Sequence, residues 1–410
     1  MRGLFPGGRM DRIVSALDLG SQSVKFLIGE ISNGNASIIG AGKVPSKSIS
    51  KGVVIDLNRA AEAVSEAKKV AETMAGKKAN SVYVSVSGSH LYSLNNKGSI
   101  IVSREGREIS KDDVKRVEES ARVLLLQANQ RVIHAIPRQF IIDGQGGIRN
   151  PVGMSGIKLE EEVHIVTGSS TVLYNIEKVV SMVDLKKEAF VLQSLASSLS
   201  TLKEQEKELG VALVDIGAGT GDIAVFVNGS IAHTSVLPIG GEYITKDIAY
   251  ALRVSLEEAE RIKKDFGFAK SGNTVLENST IEVSRIGTDE KTTVDIDYLS
   301  DVITARVDEI LETLKLELIK SGYWGALHSG VVFTGGCAKL KNFGKRADEV
   351  LELPVRIGIP KSDYTFSDML SDPEYATSVG LILYALSEGG KSRKVSNPFS
   401  SLSWIKDIFE

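Results

Sequence analysis

Two stretches of the chain combine an acidic residue with closely spaced glycines, a combination suited to binding phosphate. In one of them an apolar run leads to Asp215. Three glycines at alternate positions and a second acid follow it: Gly217, Gly219, Gly221 and Asp222. Glycines let the backbone approach a ligand, and N–H groups that point outward from such a turn bind anions. The pattern predicts a phosphate-binding turn, with a plain glycine-rich hairpin as the alternative.

The spacing of this turn excludes two common nucleotide-binding patterns. The pattern G-x-x-x-x-G-K-[ST] requires a lysine that is absent from the turn. The dinucleotide pattern G-x-G-x-x-G fails because Asp222 holds its last position. With these two patterns excluded, the turn is described by an acid followed by small residues.

A second copy of the turn lies near the start of the chain. Residues 13–31 repeat the order of apolar strand, acid (Asp18), glycine, small polar residues and apolar strand. Each copy is followed by an Asn-Gly pair, which is a strong hairpin signal. We therefore expect a duplicated architecture in which Asp18 and Asp215 face one bound anion. Two carboxylates facing a phosphate require a cation between them, which predicts Mg²⁺ held partly through water.

A third glycine motif occupies residues 330–342. It reads as a strand, then Gly335 and Gly336, then the start of a helix whose free N–H groups would face a bound polar group. Three such turns in one chain favour a nucleotide site over isolated hairpins.

Four further polar residues have two interpretations each. Gln193 can donate to and accept from a water near a phosphate, but a surface glutamine is an equal alternative. Glu260, Lys263 and Lys264 share one face of a predicted helix, where solvated charges are the default interpretation.

The composition limits the classes of function. A chain of 410 residues implies two to four subdomains, and 42% apolar with 25% charged residues is ordinary for a globular protein. The net charge of −3 argues against nucleic acid as the main partner. The single cysteine, Cys337, fits a reducing cytosol. No apolar run reaches the roughly 18 residues that a membrane span needs.

Residues 1–11 are expected to be a disordered extension, with Met10 as a possible true start.

The elements that position these residues follow from periodicity. We expect a βββαβ order up to residue 88, with Asn58 capping a helix over 54–76. Residues 89–168 read as an inserted α+β subdomain, and residues 188–202 as a helix rich in small residues. Later helices are predicted at 171–183, at 240–267 (two helices, the second with a Ser255/Glu258 capping box), at 297–322 and at 373–386. His134 and His164 lack partners at ligand spacing, so structural or surface roles are favoured over metal binding.

The tail of the chain reads as a flexible basic linker, 389–397, and an amphipathic helix, 398–410. One arc of this helix is apolar: Phe399, Leu402, Trp404, Ile405, Ile408 and Phe409. A helix docked on its own domain is one interpretation, but the linker and the tryptophan favour a membrane-surface helix. At roughly 1 kcal/mol per basic residue, one copy should bind weakly, and an assembly should bind by avidity.

These motifs together resemble the actin, Hsp70 and sugar-kinase superfamily. Within it, the phrases SVSGSH, IPRQFIIDGQGGIRNPVGMSG and KELGVALVDIGAGTGDIAVF, with the tail helix, resemble the bacterial cell-division FtsA family. The similarity runs from Arg12 to Glu410 and the combination is highly specific. One departure is a tail helix less basic than is common in that family.

The resemblance implies an α/β, actin-like, two-lobed ATPase fold with duplicated domains, in which subdomain 1B is absent and a subdomain 1C is inserted. The implied boundaries are 12–88 and 169–203 for subdomain 1A, 89–168 for 1C, 204–240 and 313–388 for 2A, and 241–312 for 2B.

The resemblance also implies that ATP and Mg²⁺ lie between the halves. Asp18 and Asp215 would hold the metal, and Gln193 would orient a water in a slow hydrolysis. The residues matching the family's phosphate and adenosine motifs are Gly20, Ser21, Ser23, Lys25, Gly217, Gly219, Thr220, Gly221, Glu260, Lys263, Lys264, Gly335 and Gly336.

The implied function is that of a structural adaptor. Such a protein polymerises and tethers the tubulin-like FtsZ to the cytoplasmic face of the inner membrane at the division septum, with other division proteins as further partners. Arg306 would meet acidic residues of the FtsZ C-terminal peptide. The alternative is a soluble phosphotransferase or phosphohydrolase of the same superfamily, which needs a general base in the cleft. The carboxylates beside the motifs are all explained by Mg²⁺ binding, so we find none that could act as this base.

Overall fold

The computed structural model describes residues 12–32, 35–103, 106–123, 128–272, 279–287, 291–360 and 368–389. The predicted N-terminal extension and the predicted tail helix lie outside these residues, as does the linker apart from Gly389. None of the helices in the described ranges is both long enough and apolar enough to cross a bilayer.

The first half of the chain opens with a meander of strands and one helix. In order these are β1 (Arg12–Leu19), β2 (Ser23–Ser32), β3 (Asn35–Pro45), β4 (Ile49–Ser50), β5 (Val53–Val54), α1 (Leu57–Ala75) and β6 (Ser81–Val86). The inserted subdomain follows, with β7 (Leu91–Ile101), β8 (Arg107–Glu108), α2 (Lys111–Arg122), β9 (Gln130–Ile142), β10 (Gln145–Ile148), β11 (Ser155–Gly156) and β12 (Lys158–Ser169). The half closes with α3 (Ser170–Met182), β13 (Lys186–Leu192) and α4 (Gln193–Thr201).

The second half repeats the pattern without an insert at the same place. Its elements are α5 (Glu204–Leu209), β14 (Val211–Ile216), β15 (Gly221–Val227), β16 (Ser230–Leu237), α6 (Gly241–Leu252), α7 (Leu256–Phe266), β17 (Thr280–Ser284), β18 (Lys291–Asp295), α8 (Ile296–Lys320), β19 (Val331–Thr334), α9 (Phe343–Leu351), β20 (Val355–Ile357) and α10 (Ala376–Gly389).

Each half is built on one five-stranded sheet, and the two sheets have the same topology. The first sheet has the order β3-β2-β1-β6-β13 and the second the order β16-β15-β14-β19-β20. In both, three antiparallel strands are followed by two parallel ones. This equivalence confirms the predicted duplication. The insert has its own four-stranded sheet, β10-β9-β12-β7.

Two helices exchange sheets and so join the halves. Helix α4, from the first half, packs mainly on β14 and β15 of the second sheet and also touches β6 and β13 of its own, whereas α10, from the second half, packs on β1, β2 and β6 of the first. The two helices pack on each other so closely that a Cβ on Gly380 would overlap the carbonyl of Ala196. The core around them draws residues from both sheets, for example Ala16 and Leu213.

Three local predictions were wrong at the level of single elements. Helix α1 is capped by Asp56 rather than Asn58, because the Asp56 carboxylate accepts the N–H of Arg59 from an extended backbone. Residues 188–202 are not one helix: the first part is β13, which pairs in parallel with β6, and only the second part is helical.

The third is the capping box of α7: the Ser255 cap forms, but its reciprocal half does not. The Ser255 hydroxyl accepts the N–H of Glu258 at 3.1 Å. The Glu258 carboxylate instead makes a bidentate ion pair with Arg261, because a guanidinium one turn along the helix competes for the same oxygens.

The insert docks along the edge strand of the second sheet through side chains. Ser93 Oγ donates to the carbonyl of Thr234 and Asn95 Nδ2 to that of Ala232. Between them His164 bridges Asn95 Oδ1 and Thr234 Oγ1 at 2.7 and 2.9 Å. Burial, reinforced by the positive charges of nearby groups, lowers the pKa of His164 to about 3. This polar seam therefore contains a neutral imidazole.

We expect Gly380→Ala to destabilise the chain, because the new methyl group would force α10 away from the Ala196 carbonyl. Overpacking of this kind costs about 1–3 kcal/mol. Urea unfolding followed by circular dichroism measures the effect. Gly325→Ala is the matched control, since no atom lies within 4 Å of the position that its methyl group would occupy. Equal midpoints for the two variants would contradict the close packing of α4 and α10.

Acidification should also destabilise the chain through its buried histidines. Burial lowers the pKa of His134 from 6.5 to about 4, and its Nε2 accepts the N–H of Leu192. Between these values the unfolded chain binds more protons, so the free energy of unfolding falls as pH drops from 6.5 to 4, by on the order of 3 kcal/mol for this group. In urea titrations, His134→Gln should flatten the pH dependence, whereas His328→Gln, at an exposed position, should not. An unchanged slope in His134→Gln would show that this imidazole is not the titrating group.

Candidate functional site

The two acid-glycine turns lie at equivalent ends of the central strands of the two sheets. Asp18 is near the end of β1 and faces Lys25 across the hairpin. Asp215 is near the end of β14, with Asp222 on β15 and Thr334 on β19 as its strand neighbours. All three carboxylates are buried. Strand pairing therefore fixes where each acid emerges before any ligand is considered.

The two turns touch each other across the junction between the halves. A Cβ on Gly219, in the second turn, would lie 2.8 Å from Ser21 Oγ in the first. The same Ser21 oxygen accepts the N–H of Lys51 at 3.2 Å. The structure thus brings together the two motifs that the sequence separates by almost two hundred residues.

A serine at the end of β6 makes a second bridge between the halves. Ser87 Oγ lies 2.8 Å from Asp222 Oδ2 and 3.1 Å from Thr220 Oγ1. Thr220 also donates to Asp222 Oδ2. The other oxygen of this carboxylate, Oδ1, is buried without a hydrogen-bond partner among the described residues.

Asp18 and Asp215 are each held by several donors. Asp18 accepts from Lys25 Nζ at 3.1 Å and from Ser85 Oγ at 3.0 Å. Asp215 Oδ2 accepts from Ser197 Oγ at 2.5 Å and from Thr377 Oγ1 at 2.8 Å. The donors to Asp215 come from α4 and α10, so the pair of exchanged helices also positions this carboxylate.

Burial and neighbouring carboxylates raise the pKa values of Asp215 and Asp222, and the charge of Lys25 opposes this effect at Asp215. Burial raises the pKa of Asp215, the two hydroxyl donors oppose this, and the charge of Asp18 adds to it. Burial, followed by the charge of Asp215, raises the pKa of Asp222 to about 8. For Lys25, burial lowers the pKa, but the Asp18 carboxylate outweighs it and the pKa is raised.

The arrangement fits a phosphate with a divalent cation. Clustered buried carboxylates are unfavourable without positive charge between them, and Lys25 supplies a single positive charge beside three acids. Asp222 Oδ1, which lacks a hydrogen-bond partner among the described residues, is an oxygen that could still bind a ligand. The turn at Gly219 offers backbone where a side chain would collide. Within the described ranges no group of three or more His, Cys, Asp or Glu side chains is arranged to hold a metal, so a cation here would have to be held by few protein ligands and by water or phosphate.

The third glycine motif lies directly against Asp215. Gly335 has φ 86°, and a Cβ there would overlap Asp215 Oδ1 and lie 2.5 Å from the carbonyl oxygen of Ile216. The predicted helix start is wrong in detail. The glycines lead into a single 3-10 turn, 336–339, and α9 begins only at Phe343. Few helical N–H groups are therefore available at this point.

The predicted adenosine-side residues form a compact network rather than a solvated face. Lys263 Nζ lies 2.6 Å from Glu260 Oε2, 2.7 Å from Thr245 Oγ1 and 3.0 Å from the carbonyl of Gly241. Lys264 pairs with the other oxygen of Glu260 and is largely exposed. Lys263 is thus engaged within the protein, which leaves Lys264 as the freer of the two charges.

The two remaining predicted residues lie at different places. Gln193 begins α4 and is half-buried, next to the Leu192 N–H that donates to His134. Arg306 on α8 already makes ion pairs with Asp247 and Glu309. The structure therefore does not bring Arg306 into the cluster of acids.

Sequence reasoning missed the hydroxyl residues that hold the acids. These are Ser85, Ser87, Ser197 and Thr377. Two signals pointed toward them, namely the phrase SVSGSH and the small residues of the predicted helix 188–202, but hydroxyl side chains have too many common roles for the sequence alone to assign them.

Two family models match the chain. The model described as "Cell division protein FtsA" matches residues 212–380, and the one described as "SHS2 domain inserted in FTSA" matches residues 88–167. The second match coincides with the insert.

Relatives match over nearly the whole chain. The cell division protein FtsA of Pseudomonas aeruginosa is 38% identical over 96% of this chain and 94% of its own length. That of Bacillus subtilis is 40% identical over 90% of this chain and 82% of its own length.

Solved structures resemble the fold at low sequence identity. A type IV pilus biogenesis complex, PilM-PilN, gives a TM-score of 0.65 at 14% identity over 91% of this chain and 98% of that chain. MreB5 of Spiroplasma citri bound to ADP gives 0.57 at 14% identity, over 93% and 99%. A MamK double helical filament gives 0.52 at 12% identity, over 91% and 98%. These neighbours confirm the predicted actin-like fold.

Gly335→Ala should destabilise the chain, because the methyl group would displace Asp215 or the Ile216 carbonyl and because alanine disfavours a φ of 86°. We expect a loss of about 1–3 kcal/mol in the free energy of unfolding. The neighbouring Gly336→Ala, with nothing within 4 Å, should leave stability unchanged. Thermal unfolding in nucleotide-free buffer compares the two, and equal loss in both would contradict the close approach at Gly335.

Proposed function

The chain belongs to the FtsA family of bacterial cell-division proteins, and from this membership we propose that it is an ATP-binding adaptor that forms filaments and tethers the FtsZ ring to the membrane. The observation that carries the nucleotide-binding part of the proposal is the meeting of two acid-glycine turns, one from each half, around Asp18 and Asp215. The family membership rests on identity of 38 to 40% over at least 90% of the chain.

In this proposal ATP lies between the halves and each motif has one role. The two turns, with Gly20, Ser21, Ser23 and Lys25 in one and Gly217, Gly219, Thr220 and Gly221 in the other, bind the phosphates. Glu260, Lys263 and Lys264, with Gly335 and Gly336, lie on the adenosine side. Asp18 and Asp215 hold Mg²⁺, which neutralises phosphate charge when bound. The ADP bound to MreB5, a fold neighbour, supports a nucleotide in this fold.

Hydrolysis, where it occurs, is proposed to be slow. Gln193 is the residue proposed to orient the water, and it lies at the first position of α4. The donors on Asp215 come from the same helix and from α10. Binding and assembly, rather than turnover, are the main outcomes that we propose. The double helical filament of MamK, another fold neighbour, supports self-assembly of this fold.

The FtsZ peptide is proposed to bind the subdomain formed by 241–312. Arg306 is the proposed contact for its acidic residues. Because Arg306 already pairs with Asp247 and Glu309, an acidic peptide must compete with or share these pairs. Binding through this residue should therefore be weak and salt-sensitive.

The membrane contact is assigned to the tail helix, at the cytoplasmic face of the inner membrane and at the division septum. Its apolar arc would insert between lipid headgroups. Weak binding by each copy suits a filament, because many linked copies bind by avidity.

We expect the full-length chain, with ATP and Mg²⁺, to sediment with anionic liposomes and to carry an FtsZ C-terminal peptide with it, whereas a truncation ending at Val395 stays in the supernatant. Ile405→Glu should abolish lipid binding. Ser403→Glu, which adds the same charge on the opposite side of the predicted helix, should retain most of it. If the truncation sediments equally, or if neither lipid nor peptide binds, the adaptor function is wrong and a soluble phosphotransferase or phosphohydrolase becomes the better hypothesis.

A further inference from the structure

The first turn of α10 places two neighbouring hydroxyl groups between the acids of the two halves. Thr377 Oγ1 donates to Asp215 Oδ2 at 2.8 Å, and Ser378 Oγ lies 3.5 Å from Asp18 Oδ2. The two residues are adjacent in one helix, so the separation of their hydroxyls follows from helix geometry. One rigid element thus contacts a carboxylate from each sheet.

A third hydroxyl, on α4, completes this arrangement. Ser197 Oγ lies 2.5 Å from Asp215 Oδ2 and 3.0 Å from Thr377 Oγ1. Ser197, Thr377 and Ser378 are all buried, and we call them the hydroxyl bridge. A buried hydroxyl keeps one geometry only when its surroundings hold it.

The packing of the two helices supplies that restraint. Gly380 allows α10 to lie directly on the Ala196 carbonyl of α4. Ser200 Oγ on α4 donates to the carbonyl of Ala376 at 2.7 Å, one residue before Thr377. Neither helix can slide along the other without breaking these contacts, so the hydroxyl bridge has a fixed position relative to both sheets.

We propose that the hydroxyl bridge positions the two carboxylates for a divalent cation, with Ser197 and Thr377 holding Asp215 and Ser378 making the weaker contact to Asp18. The inference rests on the proposed function, in which Asp18 and Asp215 hold Mg²⁺. Donors on Oδ2 restrain the rotation of the Asp215 carboxylate and set the direction of its other oxygen. Hydrogen bonds that orient metal ligands in this way are typically worth 10–100-fold in metal affinity.

The test separates cation binding from nucleotide binding. Binding of a fluorescent ATP analogue to the full-length chain is measured in EDTA and across a Mg²⁺ titration. Thr377→Val, which keeps the shape of the side chain but removes the hydroxyl, should raise the Mg²⁺ midpoint roughly 10-fold or more. Ser378→Ala should raise it less, because its contact is longer. Thr377→Ser should restore the wild-type midpoint, and affinity in EDTA should be the same in all variants.

Ser200→Ala is the matched control in the same helix pair. It removes a buried hydrogen bond between α4 and α10 but none to a carboxylate. It should therefore lower the unfolding midpoint and leave the Mg²⁺ midpoint unchanged. An equal shift of the Mg²⁺ midpoint in Ser200→Ala and Thr377→Val would show that general loosening of the helices, not the hydroxyl bridge, controls the site.

The remaining outcomes distinguish this inference from the proposed function. If the wild-type chain binds the analogue in a Mg²⁺-dependent way and Thr377→Val has the same midpoint, only the positioning role is overturned. The same holds if Thr377→Val weakens binding equally with and without Mg²⁺. If the wild-type chain shows no Mg²⁺-dependent binding, the proposed function fails and the inference fails with it.

Discussion

The close approach of α10 to α4 at Gly380 and Ala196 is the constraint on which the rest of the structure depends. Helix α10 belongs to the second half by sequence but packs on the first sheet, and α4 belongs to the first half but packs mainly on the second sheet while also touching β6 and β13 of its own. A side chain at residue 380 would separate them. Because the core between the sheets includes residues from both halves and from α10, separating the helices would expose that core and move the two sheets apart.

The electrostatics of the cluster of acids follow from the same packing. Buried carboxylates are tolerated only when donors or cations surround them. Lys25 and Ser85 lie on the same sheet as Asp18 and donate hydrogen bonds to its carboxylate. The Asp215 carboxylate instead accepts hydrogen bonds from hydroxyls on α4 and α10. Asp222 depends on Ser87 from the opposite half. Each of the three acids therefore has at least one hydroxyl donor from the other half of the chain, which ties the chemistry of the site to the architecture.

The insert joins this assembly at a second place, away from the acids. In the sequence the insert lies between β6 and α3 of the first half, yet its side chains form hydrogen bonds to the edge strand β16 of the second sheet. A side-chain seam covers an edge that would otherwise offer free backbone groups to another strand. The neutral His164 in that seam is a consequence of its burial. The insert thus links both halves. If the halves moved relative to each other, the hydrogen bonds between the insert and β16 would have to break or the insert would have to move with the second half.

Some parts of the fold and of the candidate site could be predicted from the sequence, and others could not. The acid at the end of an apolar strand and the glycines after it identified both turns, because short-range spacing reflects strand geometry directly. The duplication, the insert and the family followed from the same local patterns. The division of 188–202 into β13 and α4 did not, because buried apolar residues such as Phe190 fit either element until a neighbouring strand is known.

By itself, then, the sequence determined most of the local elements, the family and the identity of the acids, since these depend on residue type and spacing over a few positions. Only the tertiary structure decided which groups satisfy those acids. The donors Ser197 and Thr377 are separated by 180 positions, and no periodicity connects residues so far apart. Their meeting depends on two helices that pack closely on each other at Gly380, and no local signal specifies that contact.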